Sequence, residues 1–129
     1  MSSLKFAIIG HPLNHSMSPL IHNYAFKHLG IDAEYGKQDI PPKDFTHRIK
    51  TLKTQNWRGF NVTVPYKEKI IPFLDILSDG AKKIGAVNTI KINVSGQWEG
   101  YNTDYTGFYA PLKNLKSEIT SCLMIGAGG

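Results

Sequence analysis

Apolar and polar residues alternate along this chain in blocks that switch between two periods. Residues 5–9 form an apolar run closed by Gly10, the pattern of a buried first strand. Ser18 and Pro19 then open a helix that runs to about residue 28 and stops at Gly30. A serine at the N-cap, proline at the first helical position and glycine past the end is the expected asymmetry. Residues 34–38 read as a second strand. Residues 43–54 read as a helix with Phe45, Ile49 and Leu52 on one face, and residues 59–64 as a third strand. Residues 67–77 carry helical periodicity interrupted at Pro72, with 81–84 as an extension. Residues 87–93 and 97–101 flank Ser95-Gly96, a hairpin signal. A helix is predicted over 103–109, broken or kinked near Pro111. A last strand is predicted over 119–125, followed by the glycine-rich end GAGG.

Strands alternating with helices predict an α/β, three-layer domain: a mostly parallel sheet flanked by helices, with one antiparallel hairpin element. A length of 129 residues suits one domain with a real core. No apolar run approaches the roughly 18 residues that span a bilayer. The start, MSSLKFAIIG, is too short and too sparsely charged for a signal peptide, and reads as a loose tip entering the first strand. The single cysteine, Cys122, excludes an internal disulfide. Lying in the run SCLMIG, it reads as a small buried hydrophobe, and a reducing cytoplasm fits. The net charge of +5 raises nucleic acid as a partner, but the lysines are scattered. A solvated surface is the default, with mild attraction for small anions. His11, His15 and His22 match no usual metal-site spacing, so no metal is expected.

In open α/β sheets ligands sit beyond the carboxyl ends of the strands. Four polar blocks fall there. Ser16 and Ser18 stand at the start of the first helix, where free N–H groups favour an anion. Together they suit a carboxylate, although from the residues alone Ser18 as a helix cap and Ser16 as a loop residue is the plainer reading. Asn61 and Thr63 share a face of the third strand, and Lys67 follows just beyond it. That lysine suits an oxyanion or carbonyl as hydrogen-bond or proton donor. A half-exposed strand followed by a surface lysine is the plain alternative. Asn88 offers donor and acceptor, which suits a vicinal pair of hydroxyls, or a structural turn. Asp104 sits in or near a helix's first turn, where it either favours the helix dipole or pairs with Lys67.

In this order and spacing, GHPLNHSMSPLIHN, NVTVPYK, GAVNTI and GYNTDYTG resemble the signature blocks of shikimate dehydrogenase. The resemblance covers the chain from about residue 5 to 129. It implies that Ser16 and Ser18 hold the substrate carboxylate and that Thr63 is a further substrate contact. It implies that Asn88 holds the ring hydroxyls, with Asn61 as a neighbour, and that Lys67 and Asp104 are the catalytic pair. The family reduces 3-dehydroshikimate to shikimate with NADPH, on the route to chorismate and the aromatic amino acids. The closing GAGG resembles the start of the family's cofactor loop, with Gly126, Gly128 and Gly129 toward NADP. A cofactor domain also needs the helix after that loop and a ribose-binding residue about 20 residues on.

The expected organisation is therefore a substrate-binding domain over 1–118 and the first strand and loop of a cofactor-binding domain over 119–129. Alone, such a chain is expected to be inactive. Expected partners are shikimate or 3-dehydroshikimate, with no nucleic acid and no membrane. Self-association through the C-terminal strand is also expected. Two alternatives stand beside this reading: a shikimate-binding module without turnover, and part of a quinate/shikimate dehydrogenase.

Overall fold

A computed structural model of the chain describes residues 3–115 and 118–126. The strands are β1 (Leu4–Gly10), β2 (Ala33–Asp39), β3 (Gly59–Val62), β4 (Ile76–Leu77), β5 (Thr89–Ile92) and β6 (Trp98–Tyr101). The helices are α1 (Ser18–Leu29), α2 (Phe45–Lys53), α3 (Asp79–Ile84) and α4 (Asp104–Leu112). The six strands form one sheet in the order β2-β1-β3-β5-β6-β4. Pairings β1–β2, β1–β3 and β4–β6 are parallel, and β3–β5 and β5–β6 are antiparallel. Only β5 is reversed, so the sheet is mostly parallel with one antiparallel hairpin, as the sequence predicts.

Strand alternation sends side chains to two cores. Ala7 and Ile9 of β1 join Phe60, Val62, Ile90 and Trp98 under Phe45, Ile49 and Leu52 of α2 and Ala81 of α3. Phe6 and Ile8 face the other way and pack with Tyr35, Leu13 and Phe26 of α1. Helices therefore lie on both faces, which gives the three layers. The three residues predicted for the inner face of α2 are all buried. α1 ends at Gly30, whose φ of 66° is the left-handed conformation expected of a glycine stop.

Four local expectations are corrected. Ser18 is not the N-cap of α1. It is the first helical residue, and the cap position belongs to Met17, with no side-chain cap. Residues 67–77 do not form a helix. Pro72 has no N–H and fits only a first turn, so a short 3-10 turn (Ile71–Phe73) forms instead. The chain then reaches the sheet edge as β4, tied by Asp75 N–H to Trp98 C=O at 2.9 Å and by Trp98 N–H to Asp75 Oδ2 at 2.8 Å. α3 is thus a separate helix, capped by Ser78, whose hydroxyl accepts from the Ala81 N–H. Residues 119–125 form no strand. A strand exists only when paired, and this run pairs with no strand of the sheet. Cys122 within it is exposed, not buried. The predicted loose tip, Met1 and Ser2, lies outside the described residues.

The hairpin forms where expected, between β5 and β6. Asn93 organises it by accepting from the N–H groups of Ser95 and Gln97, each at 3.0 Å.

Candidate active site

The carboxyl ends of β1, β3 and β6 lie at one end of the sheet. Because β5 runs backwards, its amino end lies there too. Backbone bonds stitch the four connections together. The Thr63 N–H donates to Ile9 C=O at 2.9 Å, and the His11 N–H donates to Val64 C=O at 3.1 Å. The Val62 N–H donates to Asn88 C=O, and the Val87 N–H to Lys67 C=O, each at 2.8 Å. Gly10 ends β1 because nothing larger fits: a Cβ there would lie 2.4 Å from Thr63 Cγ2 and 2.8 Å from Leu13 Cδ2. The glycine lets the first loop close against Thr63.

At the centre, Lys67 Nζ lies 2.7 Å from Asp104 Oδ2. The lysine side chain is 20% exposed and the aspartate 55%, so the pair faces solvent while its stem is held. Asp104 begins α4, and the turn before it is fixed by Asn88. The Asn88 carboxamide oxygen accepts from the Thr103 N–H at 2.9 Å, and its Nδ2 donates to Thr103 Oγ1 at 2.8 Å. Thr89 Oγ1 donates to the same carboxamide oxygen at 3.0 Å. Asn61, at the end of β3, accepts from the Tyr35 hydroxyl at 2.6 Å. Its Nδ2 reaches Asn88 C=O and Thr89 Oγ1 only at 3.4 and 3.5 Å. It remains a donor with weak partners, free to be taken by a ligand.

Ser16 and Ser18 lie on the loop between β1 and α1. The Ser18 N–H points to Ser16 Oγ at 3.4 Å, and the Ser16 N–H donates to Leu13 C=O at 3.1 Å. This loop is also held from β2. Asp39 accepts from the Leu13 N–H at 2.9 Å and from His11 Nδ1 at 2.7 Å. The Leu13 amide, and then the His11 ring, hold the Asp39 carboxyl below its ordinary 3.8. Lys37 Nζ donates to Leu13 C=O at 2.8 Å.

Sequence reasoning missed Tyr35, Lys37, Asp39, Thr89 and Thr103. Their partners are tertiary, yet β2 carried a signal. Tyr35, Lys37 and Asp39 fall on one face, which runs from the strand's middle to its carboxyl end. Tyr35 is locked on both sides. The Asn23 side chain bonds both its N–H and its C=O at 2.9 Å. His22 stacks on its ring at 4.2 Å between centroids. Burial pushes the Tyr35 hydroxyl well above its ordinary range, so it stays a donor to Asn61.

A cavity of about 310 Å³ lies on the α1 face of the sheet toward the amino ends of β1 and β3, lined among others by Phe6, Phe26, Arg58, Gly59 and Lys91, and it extends to Asn61 and Thr89. Neither Lys67 nor Asp104 lines it, so it borders the candidate site through Asn61 and Thr89 only. Among the described residues no group of three or more His, Cys, Asp or Glu is placed to hold a metal ion. Of the predicted cofactor glycines, Gly126 is exposed with φ 91°, and Gly128 and Gly129 lie outside the described residues.

A family model described as the shikimate dehydrogenase substrate binding domain matches residues 8–90. The chain belongs to the shikimate dehydrogenase family. A relative from Caldanaerobacter subterraneus subsp. tengcongensis, named shikimate dehydrogenase (NADP(+)), is 45% identical over 126 residues, which is 96% of this chain and 45% of the relative. The solved shikimate dehydrogenase of Aquifex aeolicus superposes with a TM-score of 0.80 at 42% identity, covering 88% of this chain and 42% of that one. The enzyme of Thermus thermophilus, solved in complex with NADP(H) and shikimate, gives a TM-score of 0.76 at 41% identity, covering 86% and 42%. The chain thus spans less than half the length of these relatives. Within this family the matched region takes in Ser16, Ser18, Asn61, Thr63, Lys67 and Asn88, while Asp104 lies beyond it.

Proposed function

We propose that this chain is the substrate-binding half of an NADP-dependent shikimate dehydrogenase that reduces 3-dehydroshikimate to shikimate. Residues 1–118 form the substrate domain, and 119–129 lead into the cofactor domain. The observation that carries this reading is the Lys67–Asp104 pair at 2.7 Å, set at the strand ends among Asn61, Asn88 and Thr103.

The chemistry follows from the donors present. Ser16 and Ser18 hold the substrate carboxylate. Asn61, Thr63 and Asn88 meet the ring hydroxyls, so a small polyhydroxylated acid is oriented at both ends. Lys67 donates to the carbonyl oxygen, and as that oxygen gains negative charge the lysine delivers a proton to it. Asp104 keeps the ammonium aimed. NADPH, when bound, supplies the hydride. Gly126 suits a loop beside its pyrophosphate: its φ of 91° is one only glycine adopts easily, and nothing lies within 4 Å of where a Cβ would stand. No helix of the described residues is long and apolar enough to cross a membrane. An exposed unpaired thiol, Cys122, persists in a reducing compartment, and we assign the chain to the cytoplasm.

The test is Lys67→Ala in the enzyme that joins this chain to its cofactor domain. Turnover should fall on the order of 100-fold or more, while shikimate affinity measured by calorimetry changes far less. Near-normal turnover would make Lys67 a surface lysine and overturn the reading. The 129-residue chain alone should bind shikimate yet show no shikimate-dependent reduction of NADP.

A further inference from the structure

We propose that Asp39 and Lys37, at the carboxyl end of β2, are positioning residues that fix the loop carrying Ser16 and Ser18 in the geometry that receives a carboxylate. This rests on the reading of those serines as the carboxylate site.

Apart from the His11 N–H bond to Val64 C=O at its start and the close approach of Gly10 to Thr63, the loop between Gly10 and Ser18 has little else to hold it. Asn14, His15 and Met17 are exposed, or nearly so, and only Leu13 carries a large buried side chain, at 3%. Every polar group of Leu13 is taken. Its N–H donates to Asp39 Oδ2 at 2.9 Å. Its carbonyl accepts from Lys37 Nζ at 2.8 Å and from the Ser16 N–H at 3.1 Å. Both carboxylate oxygens of Asp39 are used, because Oδ1 accepts from His11 Nδ1 at 2.7 Å. Lys37 also reaches Asn14 C=O at 3.4 Å. Two side chains on one face of one strand therefore grip His11, Leu13 and Asn14, and Leu13 passes the restraint directly to the Ser16 amide.

Charge and geometry argue for more than fold stability. Bonds to a carboxylate and an ammonium are the stronger kind, and they fix direction as well as distance. A hydroxyl pair gains affinity for a small anion only when ordered beforehand, since the entropy lost in ordering a loose loop on binding offsets the new hydrogen bonds. Lys37 also places a positive charge against the loop that is to meet an anion.

The experiment compares the full 129-residue chain with Asp39→Ala and Asp39→Asn. Shikimate is titrated into each while backbone amide signals are followed by NMR, and amide hydrogen exchange is measured without ligand. In Asp39→Ala, exchange at Leu13 and Ser16 should quicken about 10-fold or more, and shikimate should bind about 10-fold more weakly. At saturation the response of the Ser16 and Ser18 amides should be lost, while that of Asn88 and Thr103 is retained. Asp39→Asn keeps an acceptor for the Leu13 N–H and should recover most of both effects. Unchanged exchange in Asp39→Ala overturns the proposal. So does an equal loss of response at Ser16 and at Asn88, which marks a general structural role. If the unaltered chain binds no shikimate, the carboxylate reading of the serines falls, and the exchange rates still decide whether Asp39 orders the loop.

Discussion

Ser18 is the first residue of α1, and its own side chain caps nothing. The hydroxyl near a helical N–H belongs to Ser16, at a long 3.4 Å. Binding and stability therefore separate at these positions. Ser16→Ala and Ser18→Ala should each weaken shikimate by roughly 1–3 kcal/mol, the worth of a bond to a charged partner. Neither should change folding stability beyond about 0.5 kcal/mol. Calorimetry reads the first and thermal melting the second; a stable protein with unchanged affinity would remove that serine from the site. Asn88 is the opposite case, because its carboxamide holds the turn that delivers Asp104. Asn88→Ala should cost about 1–2 kcal/mol of stability, and hydrogen exchange at Thr103 should rise with it. Exchange there at the unaltered rate would show that the turn holds itself. Residues such as Lys67, Asn88 and Asp104 were legible because each lies in a compact polar block close to an apolar strand. Tyr35, Lys37 and Asp39 were not, since their partners lie 12 to 28 residues away and pair only once the sheet and α1 come together.

Where periodicity and local chemistry agreed, elements came out as read: β1, α2 and the β5–β6 hairpin, with α1 as read in its extent and its glycine stop but not in its cap. The run 67–77 shows the failure. Its apolar spacing matches a helix, but Ile70, Ile71, Phe73 and Leu74 reach the core from a turn and an extended segment instead. Apolar periodicity reports burial, and burial does not dictate one backbone shape. Asp75 makes the difference. Its carboxylate accepts from the Trp98 N–H at 2.8 Å and lies 3.2 Å from Lys53 Nζ, so it ties β4, β6 and α2 together. The Trp98 amide, above all, and then Lys53 hold the Asp75 carboxyl below its ordinary 3.8. The folded form thus binds this proton less tightly than the unfolded chain. Its contribution to stability is full above 3.8 and is lost as pH falls through the lower folded value. Asp39 acts in the same direction. Melting temperature should therefore fall as the solution is taken below pH 3.8. Asp75→Asn should be less stable than the parent at neutral pH and should show a shallower acid decline. An acid decline identical to the parent's would mean that Asp75 carries none of it.

On the scale of the whole molecule, the layered fold was legible because alternating strand and helix signals leave few topologies. The one antiparallel element followed from the hairpin, and the pairings show that β5 is the strand that runs backwards. What the sequence could not show is that residues 119–125 pair with no strand of the sheet. Leu123, Met124 and Ile125 are 87%, 74% and 92% exposed, a contiguous apolar run in water. Such a run gains by pairing its backbone and covering its side chains. The two edges of its own sheet receive it poorly. On β2 the Asn23 side chain already occupies the N–H and C=O of Tyr35, and β4 offers only two residues. In the isolated 129-residue chain, without the cofactor domain into which the run is proposed to lead, the partner that remains is the same segment of a second copy, and a two-fold arrangement closes the pairing without leaving an open chain of contacts. We therefore expect self-association through residues 119–126, visible by light scattering as mass that rises with protein concentration. Deleting 119–129 should leave a monomer. Met124→Lys, which places a charge in the middle of the run, should weaken the association without touching the substrate end. A full chain that stays monomeric at high concentration overturns the expectation, and dimers of equal strength with and without the segment would place the contact elsewhere on the molecule.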